Sequence, residues 1–152
     1  MKKPLAIVST VLAVVVIVFS ICYANLKTKH DGLQNYIDQN FHFYYSELIS
    51  DLMTIHLNPD MSEQEYQFFY EKVSKSGDLA DTLVSMSSYR ENAKLSSLVG
   101  MLNKASGTQA FYSLNMNEEL DKKLRGLIGH FADEEMINEA HDLVKNSIVE
   151  ND

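Results

Sequence analysis

The side chains that could do chemistry in this 152-residue chain are five histidines, twenty-one carboxylates, a group of serines and one cysteine. Their spacing decides whether they can act together. A carboxylate-bridged metal site in a helical protein needs Glu-x-x-His pairs on facing helices. His30, His42, His56, His130 and His141 supply none. The nearest approximations are His130 with Glu134, which straddle a predicted helix break at Asp133, and Glu139 with His141, which point to different faces of one helix. No metal or cofactor is expected, and the histidines read as polar-face or boundary residues that could still confer pH sensitivity.

Nucleophilic catalysis fares no better. Ser85, Ser87, Ser88, Ser96 and Ser97 fall on a predicted helix without a Gly-x-Ser-x-Gly elbow, and Cys22 lies in an apolar run. The carboxylate pairs Glu118-Glu119 and Glu134-Glu135 stand at predicted helix starts, where negative charge offsets the macrodipole. No catalytic residue is assigned, and the balance leans away from an enzyme.

The most unusual local chemistry is aromatic. Phe41, Phe43, Tyr44 and Tyr45 crowd one segment, and Phe68, Phe69 and Tyr70 the next. Three consecutive aromatics span more than one helix face, so they cannot all enter one core. Phe43, Tyr44, Tyr45, Phe68 and Tyr70 are therefore the candidate contacts for a protein partner. Lys122, Lys123 and Arg125 form the basic cluster of this region, on the face opposite Leu120, Leu124 and Ile128, and read as a solvated surface.

The elements that must position these groups can be read from periodicity. After Gly32, Leu33, Ile37, Phe41, Tyr44 or Tyr45, Leu48, Leu52 and Ile55 recur at steps of three and four, which predicts an amphipathic helix ending near Leu57. Asn58-Pro59 stops it. Ser62 and Glu65 form a capping-box signature for a second helix carrying Tyr66, Phe69, Tyr70 and Val73 and ending at Ser76-Gly77. Asp78 caps a third, through Leu79, Leu83, Met86 and on to Leu102, with thinner packing where Ser, Asn and Lys interrupt the stripe. Residues 108–116 are ambiguous, with Phe111, Tyr112 and Leu114 as a candidate helical turn. A fourth helix runs from Asn117 to Phe131, and a fifth, capped by Asp133, carries Met136, Ile137, Ala140, Val144 and Ile148. The fold class is all-α: a single N-terminal transmembrane helix followed by a compact bundle of about four to five amphipathic helices.

Leu5 to Ala24 is an uncharged run of apolar residues, long enough at 1.5 Å per residue to span roughly 30 Å of hydrocarbon. Residues 1–29 read as tail, anchor and basic flank, and 30–152 as the helical domain. Lys2 and Lys3 nearly balance Lys27 and Lys29, but no further base occurs until Lys72, which favours a cytoplasmic N-terminus and an extracytoplasmic domain. A signal peptide cut after Cys22-Tyr23-Ala24 is the competing reading, opposed by an apolar core longer than the usual ~7–15 residues. The segment contains no Gly-x-x-x-Gly, so association through close backbone packing in the membrane has no signature.

Charge sharpens this division. The formal net charge is -8. All four bases before His30 have no acidic counterpart there, so the rest of the chain carries -12. Nucleic acid is excluded as a partner by that balance. Lipid through Leu5 to Ala24 and an unidentified protein are the expected partners. The leading functional expectation is a membrane-anchored interaction or accessory module at the cell envelope; the alternatives are a small-ligand sensor or enzyme with a pocket between helices, and a secreted helical protein.

Overall fold

A computed structural model describes residues 3–105 and 112–150, leaving out the side chains of residues 3–11, 13, 112, 113, 149 and 150. Among the described residues the chain is all-helical in class, with five helices: α1 (Lys3–Leu57), α2 (Glu63–Val84), α3 (Ala93–Ala105), α4 (Glu118–Gly126) and α5 (Glu134–Ser147). Two three-residue segments, β1 (Tyr112–Leu114) and β2 (Ile148–Glu150), pair antiparallel with Leu114 opposite Ile148. The chain divides into two compact units, Met1–Tyr36 and Ile37–Asp152.

In the first unit α1 is helical through Asp31-Gly32, where the sequence suggests a weak point. Val14, Val15, Val16, Ile17, Val18 and Phe19 are each between 44% and 71% exposed. The hydroxyls in this stretch turn back on their own helix, Ser20 donating to the Val16 carbonyl (2.8 Å) and Thr28 to that of Ala24 (3.0 Å). Among the described residues no helix is long and apolar enough to cross a membrane. The side chains from Leu5 to Val11, and that of Ala13, are the part of the apolar run outside the described set. Leu33, expected on the core-facing stripe, is 61% exposed, so that stripe begins later than its spacing suggests.

In the second unit the core collects Phe41, Tyr45, Leu48, Ile49, Leu52 and Met53 from α1, at the steps of three and four that keep one helix face inward. Across it lie Leu95, Leu98, Val99 and Leu102 of α3, all fully buried. The expected thin packing around α3 is therefore wrong. The polar residues between those four positions occupy the other face and do not interrupt the stripe. Leu120 and Leu124 of α4, Ile137, Ala140 and Val144 of α5, and Phe131 between them complete the core.

Three boundaries differ from expectation. Helix α2 runs through Ser76-Gly77, both buried, to Val84. Gly77 serves as a close-packing position, since a Cβ there would lie 2.5 Å from Asn103 Oδ1 on α3. Asp78, expected as a cap, instead accepts from Asn103 Nδ2 at 3.2 Å. The chain breaks at residues 85–92, and Asn92 Oδ1 caps α3 by accepting from the Leu95 amide (3.0 Å). Helix α4 ends at Gly126, five residues before Phe131. Gly129, at φ 85°, takes the left-handed conformation that turns the chain so that Phe131 can enter the core. Tyr112 and Leu114 lie in β1 instead of a helical turn, while Phe111 lies outside the described residues.

Candidate functional site

The candidate contact residues divide by burial. Tyr45 is fully buried, its hydroxyl donating to the Leu124 carbonyl (3.2 Å) and its ring edge-on to Phe131 at 4.9 Å. Burial drives its phenol far above the ordinary range, so it stays protonated and structural. Tyr44 is half-buried, with Phe43 edge-on to it at 5.2 Å. Phe43 itself is 56% exposed and Phe68 59% exposed. Tyr70 stacks on Tyr66 at 6.0 Å and is raised in pKa by burial, then by Tyr66. Lys72 Nζ lies 5.8 and 5.6 Å from the Phe68 and Phe69 rings. Among the described residues no ring contact joins the Phe43 group to the Phe68 group, so the structure yields two exposed aromatic points and not one cluster.

A second assembly is polar and joins α1 to the segment before α3. Asp38 accepts from the Ser88 amide at 2.8 Å and from its hydroxyl at 2.7 Å. One turn along α1, His42 Nε2 stands 3.1 Å from the Tyr89 hydroxyl, and the His42 ring packs edge-on to Phe131 at 4.7 Å. Desolvation lowers the His42 pKa, opposed by the Asp38 charge; Tyr89 is raised by burial and by Asp38. Neutral His42 beside protonated Tyr89 is thus the favoured state. A cleft of about 470 Å³ opens beside this pair, its lining including Tyr89, Phe131, Glu91, Lys94, Glu134 and Asn138. Of Asp38, His42 and Tyr89, only Tyr89 lines it.

One turn further along α3 and α5 the fold brings together three residues that spacing did not. Ser97 Oγ is 3.3 Å from His141 Nε2, and His141 Nδ1 is 3.0 Å from Asp142 Oδ1. The order hydroxyl, imidazole, carboxylate is that of a base-activated nucleophile. The surroundings are different. The Asp142 side chain is 67% exposed, where water weakens its hold on the imidazole. Ser97 lies mid-helix, where backbone N–H groups are committed to the helix and cannot cradle an oxyanion. The arrangement acts as a hydrogen-bonded clip between α3 and α5. The serine spacing alone gave no sign of it, because the partners lie 44 residues apart.

Of the basic cluster, Lys123 pairs with Glu139 on α5 and Arg125 with Asp121 at 2.7 Å, leaving Lys122 on an exposed position. Among the described residues no three His, Cys, Asp or Glu side chains come close enough together to hold a metal ion.

No family model, curated protein or solved structure matches this chain.

Proposed function

We propose that the chain is a single-pass membrane protein whose acidic helical domain works by protein contact at the cell envelope, on the extracytoplasmic side. One observation carries the anchor. Successive residues of a helix point about 100° apart, so the six exposed apolar side chains from Val14 to Phe19 cover its whole circumference. An amphipathic surface helix hides its apolar face against the fold; a helix apolar on every side is suited to surroundings that are apolar on every side. Counted on the full sequence, the run from Leu5 to Ala24 has the length a bilayer asks for. The stretch between Lys29 and Lys72, free of bases, supports translocation of the helical domain. Exposed Phe43 and Phe68 are the contact points this reading favours, since aromatic side chains are preferred interface anchors.

The test is alkaline extraction of membranes from cells producing the full chain, with intact mass and external protease treatment. The expected result is a pelleted protein of full mass whose domain is digested from outside. A soluble product starting at Asn25 would establish the secreted form instead, and protection of the domain would reverse the orientation.

The cleft beside Tyr89 favours a second reading, a small-ligand sensor or enzyme. A specific ligand would raise the melting temperature of the intact protein by mass action. A Tyr89→Ala variant that bound such a ligand unchanged would remove the cleft from consideration.

A further inference from the structure

We propose that residues 88–91 are a pH-operated latch: neutral His42 lets this stretch close against α1, and a proton on His42 draws Asp38 away from Ser88 and frees the stretch, opening one wall of the cleft beside Tyr89. The latch is independent of the anchor, since every residue in it lies in the second unit.

Residues 85–92 form turns between α2 and α3, and each end is tied to the helix it adjoins. At the first end Ser87 is fully buried, its hydroxyl donating to the Val84 carbonyl (2.8 Å) and accepting from the Tyr89 amide (3.1 Å). At the other end Asn92 caps α3. Between these ties the stretch meets α1 at two points one helical turn apart, Ser88 on Asp38 and the Tyr89 hydroxyl beside His42. Breaking those bonds leaves both ties in place, so the middle can swing out without unfolding either helix. The Tyr89 ring also rests against Phe131 at 5.7 Å and Phe41 at 6.0 Å, which keeps the latch closed at rest.

His42 is placed to operate it. Its imidazole stands among three rings, with Phe131 edge-on at 4.7 Å, Tyr89 at 5.8 Å and Phe41 edge-on at 6.2 Å. Such walls favour the neutral form, and the His42 pKa is lowered by that desolvation, against the opposing charge of Asp38. Asp38 lies four residues back on the same helix, the spacing at which two side chains meet. It is the carboxylate a charged imidazole would seek, yet its two oxygens take the Ser88 amide and hydroxyl. Protonated His42 and Ser88 therefore compete for one carboxylate. Protonation also makes donors of both ring nitrogens, so the Tyr89 hydroxyl can then only accept from the ring.

Other charges on the surrounding elements are otherwise engaged or turned outward. Arg90 and Glu91 are exposed and pair with each other at 3.3 Å. On the turn after α4, His130 is exposed and Asp133 caps α5. Among the described residues Asp38 is the charge acting on the His42 ring. The cleft feels the latch because Ser88, Tyr89 and Glu91 line one part of it, while Ala132, Glu134 and Asn138 of α5 and the turn before it line another.

The experiment is amide hydrogen exchange by mass spectrometry on the full chain in detergent micelles, over a series from about pH 7.5 to about pH 5, with labelling times corrected for the intrinsic pH dependence of exchange. Protection of residues 88–92 should fall about tenfold across the series, the factor that one pKa unit of difference supplies. It should stay at least ~10-fold below that of Leu95 to Leu102 throughout, because a local opening suffices. His42→Gln keeps an amide within reach of the Tyr89 hydroxyl and takes no proton, so its protection should change less than ~twofold. Asp38→Asn removes the charge that favours the protonated ring, so opening should move to lower pH. Protection that does not change with pH in the native chain would overturn the latch, as would an acid-induced loss that persists in His42→Gln. Residues 88–92 exchanging only as slowly as Leu95 to Leu102 would mean that they open with the whole domain, and would overturn it too. If His42→Gln does not fold, Asp38→Asn decides, since an opening that stays put or moves to higher pH contradicts the competition for Asp38.

Discussion

Asp51 is 4% exposed, and among the described residues only one of its carboxylate oxygens finds a hydrogen-bond partner: Oδ1 takes a bond from Lys72 Nζ at 2.9 Å, while Oδ2 takes none. Removing the cation would strand a buried charge, which typically costs ~3–5 kcal/mol. The Lys72 side chain is 40% exposed, so water already supports part of the pair. Lys72→Met is therefore expected to cost about 2–3 kcal/mol, and Asp51→Leu with Lys72→Met to recover most of it, read from urea denaturation midpoints. A double variant no more stable than the single one would show that the carboxylate is not what Lys72 compensates.

His42 gives a pH dependence with a definite sign. Its folded pKa lies below the ordinary imidazole value of 6.5, so in the window below 6.5 the unfolded chain binds the proton more readily. Stability is then present above 6.5 and drains away as pH falls through the lower, folded value. Glu65 and Asp142, also depressed, act in the same direction at more acid pH, through the Ser62 and His141 hydrogen bonds respectively. Comparing denaturation at about pH 7.5 and about pH 5.5 should show a loss in the native chain that His42→Phe largely removes. Neither Asp51 nor His42 could be singled out from sequence, since both have their decisive partners on another element.

Three helix starts were written plainly, while the start of α3 and the ends of α2 and α4 were not. Ser62 with Glu65, Asn117 and Asp133 all cap helices as their positions suggest, because a cap involves neighbours three residues away. Ser76-Gly77 misled because a glycine that stops a helix and one that lets two helices approach look alike until the second helix is in place. Asn92 was the overlooked signal, a capping residue after the run Ser85 to Glu91. Gly77 now supports an element-scale prediction. Gly77→Ala gains about 1 kcal/mol of helix propensity but must displace Asn103 from Asp78, so it should be close to neutral. Gly77→Val adds branches toward the Asn103 backbone and should cost roughly 1–3 kcal/mol by overpacking. Thermal melts of the two variants separate the cases, and equal melting temperatures would refute the close-approach role.

At the scale of the molecule, charge and hydropathy set a basic, apolar end apart from an acidic remainder, because both add along the chain without knowledge of contacts. The polar pairings inside the domain were not, because Asp38 with Ser88 and Ser97 with His141 depend on how helices are laid together. The anchor proposal makes a test on the whole chain. Ile17→Arg places a charge in the middle of the apolar run at a cost of ~2.5–3.5 kcal/mol for insertion. It should shift much of the protein to the soluble fraction on alkaline extraction while the far-ultraviolet helical signal persists. Unchanged retention would count against a spanning helix.

The bond from Tyr45 to the Leu124 carbonyl crosses 79 residues of chain. At synthesis rates of ~5–20 residues per second, the apolar face of α1 from Phe41 to Met53 waits roughly 4–16 s before α4 exists to cover it. During that interval a newly made chain presents sticky surface with its natural cover still unmade. The acid-rich, base-free stretch from Asp31 to Glu71 surrounds that surface with like charge, so nascent copies repel one another while they wait.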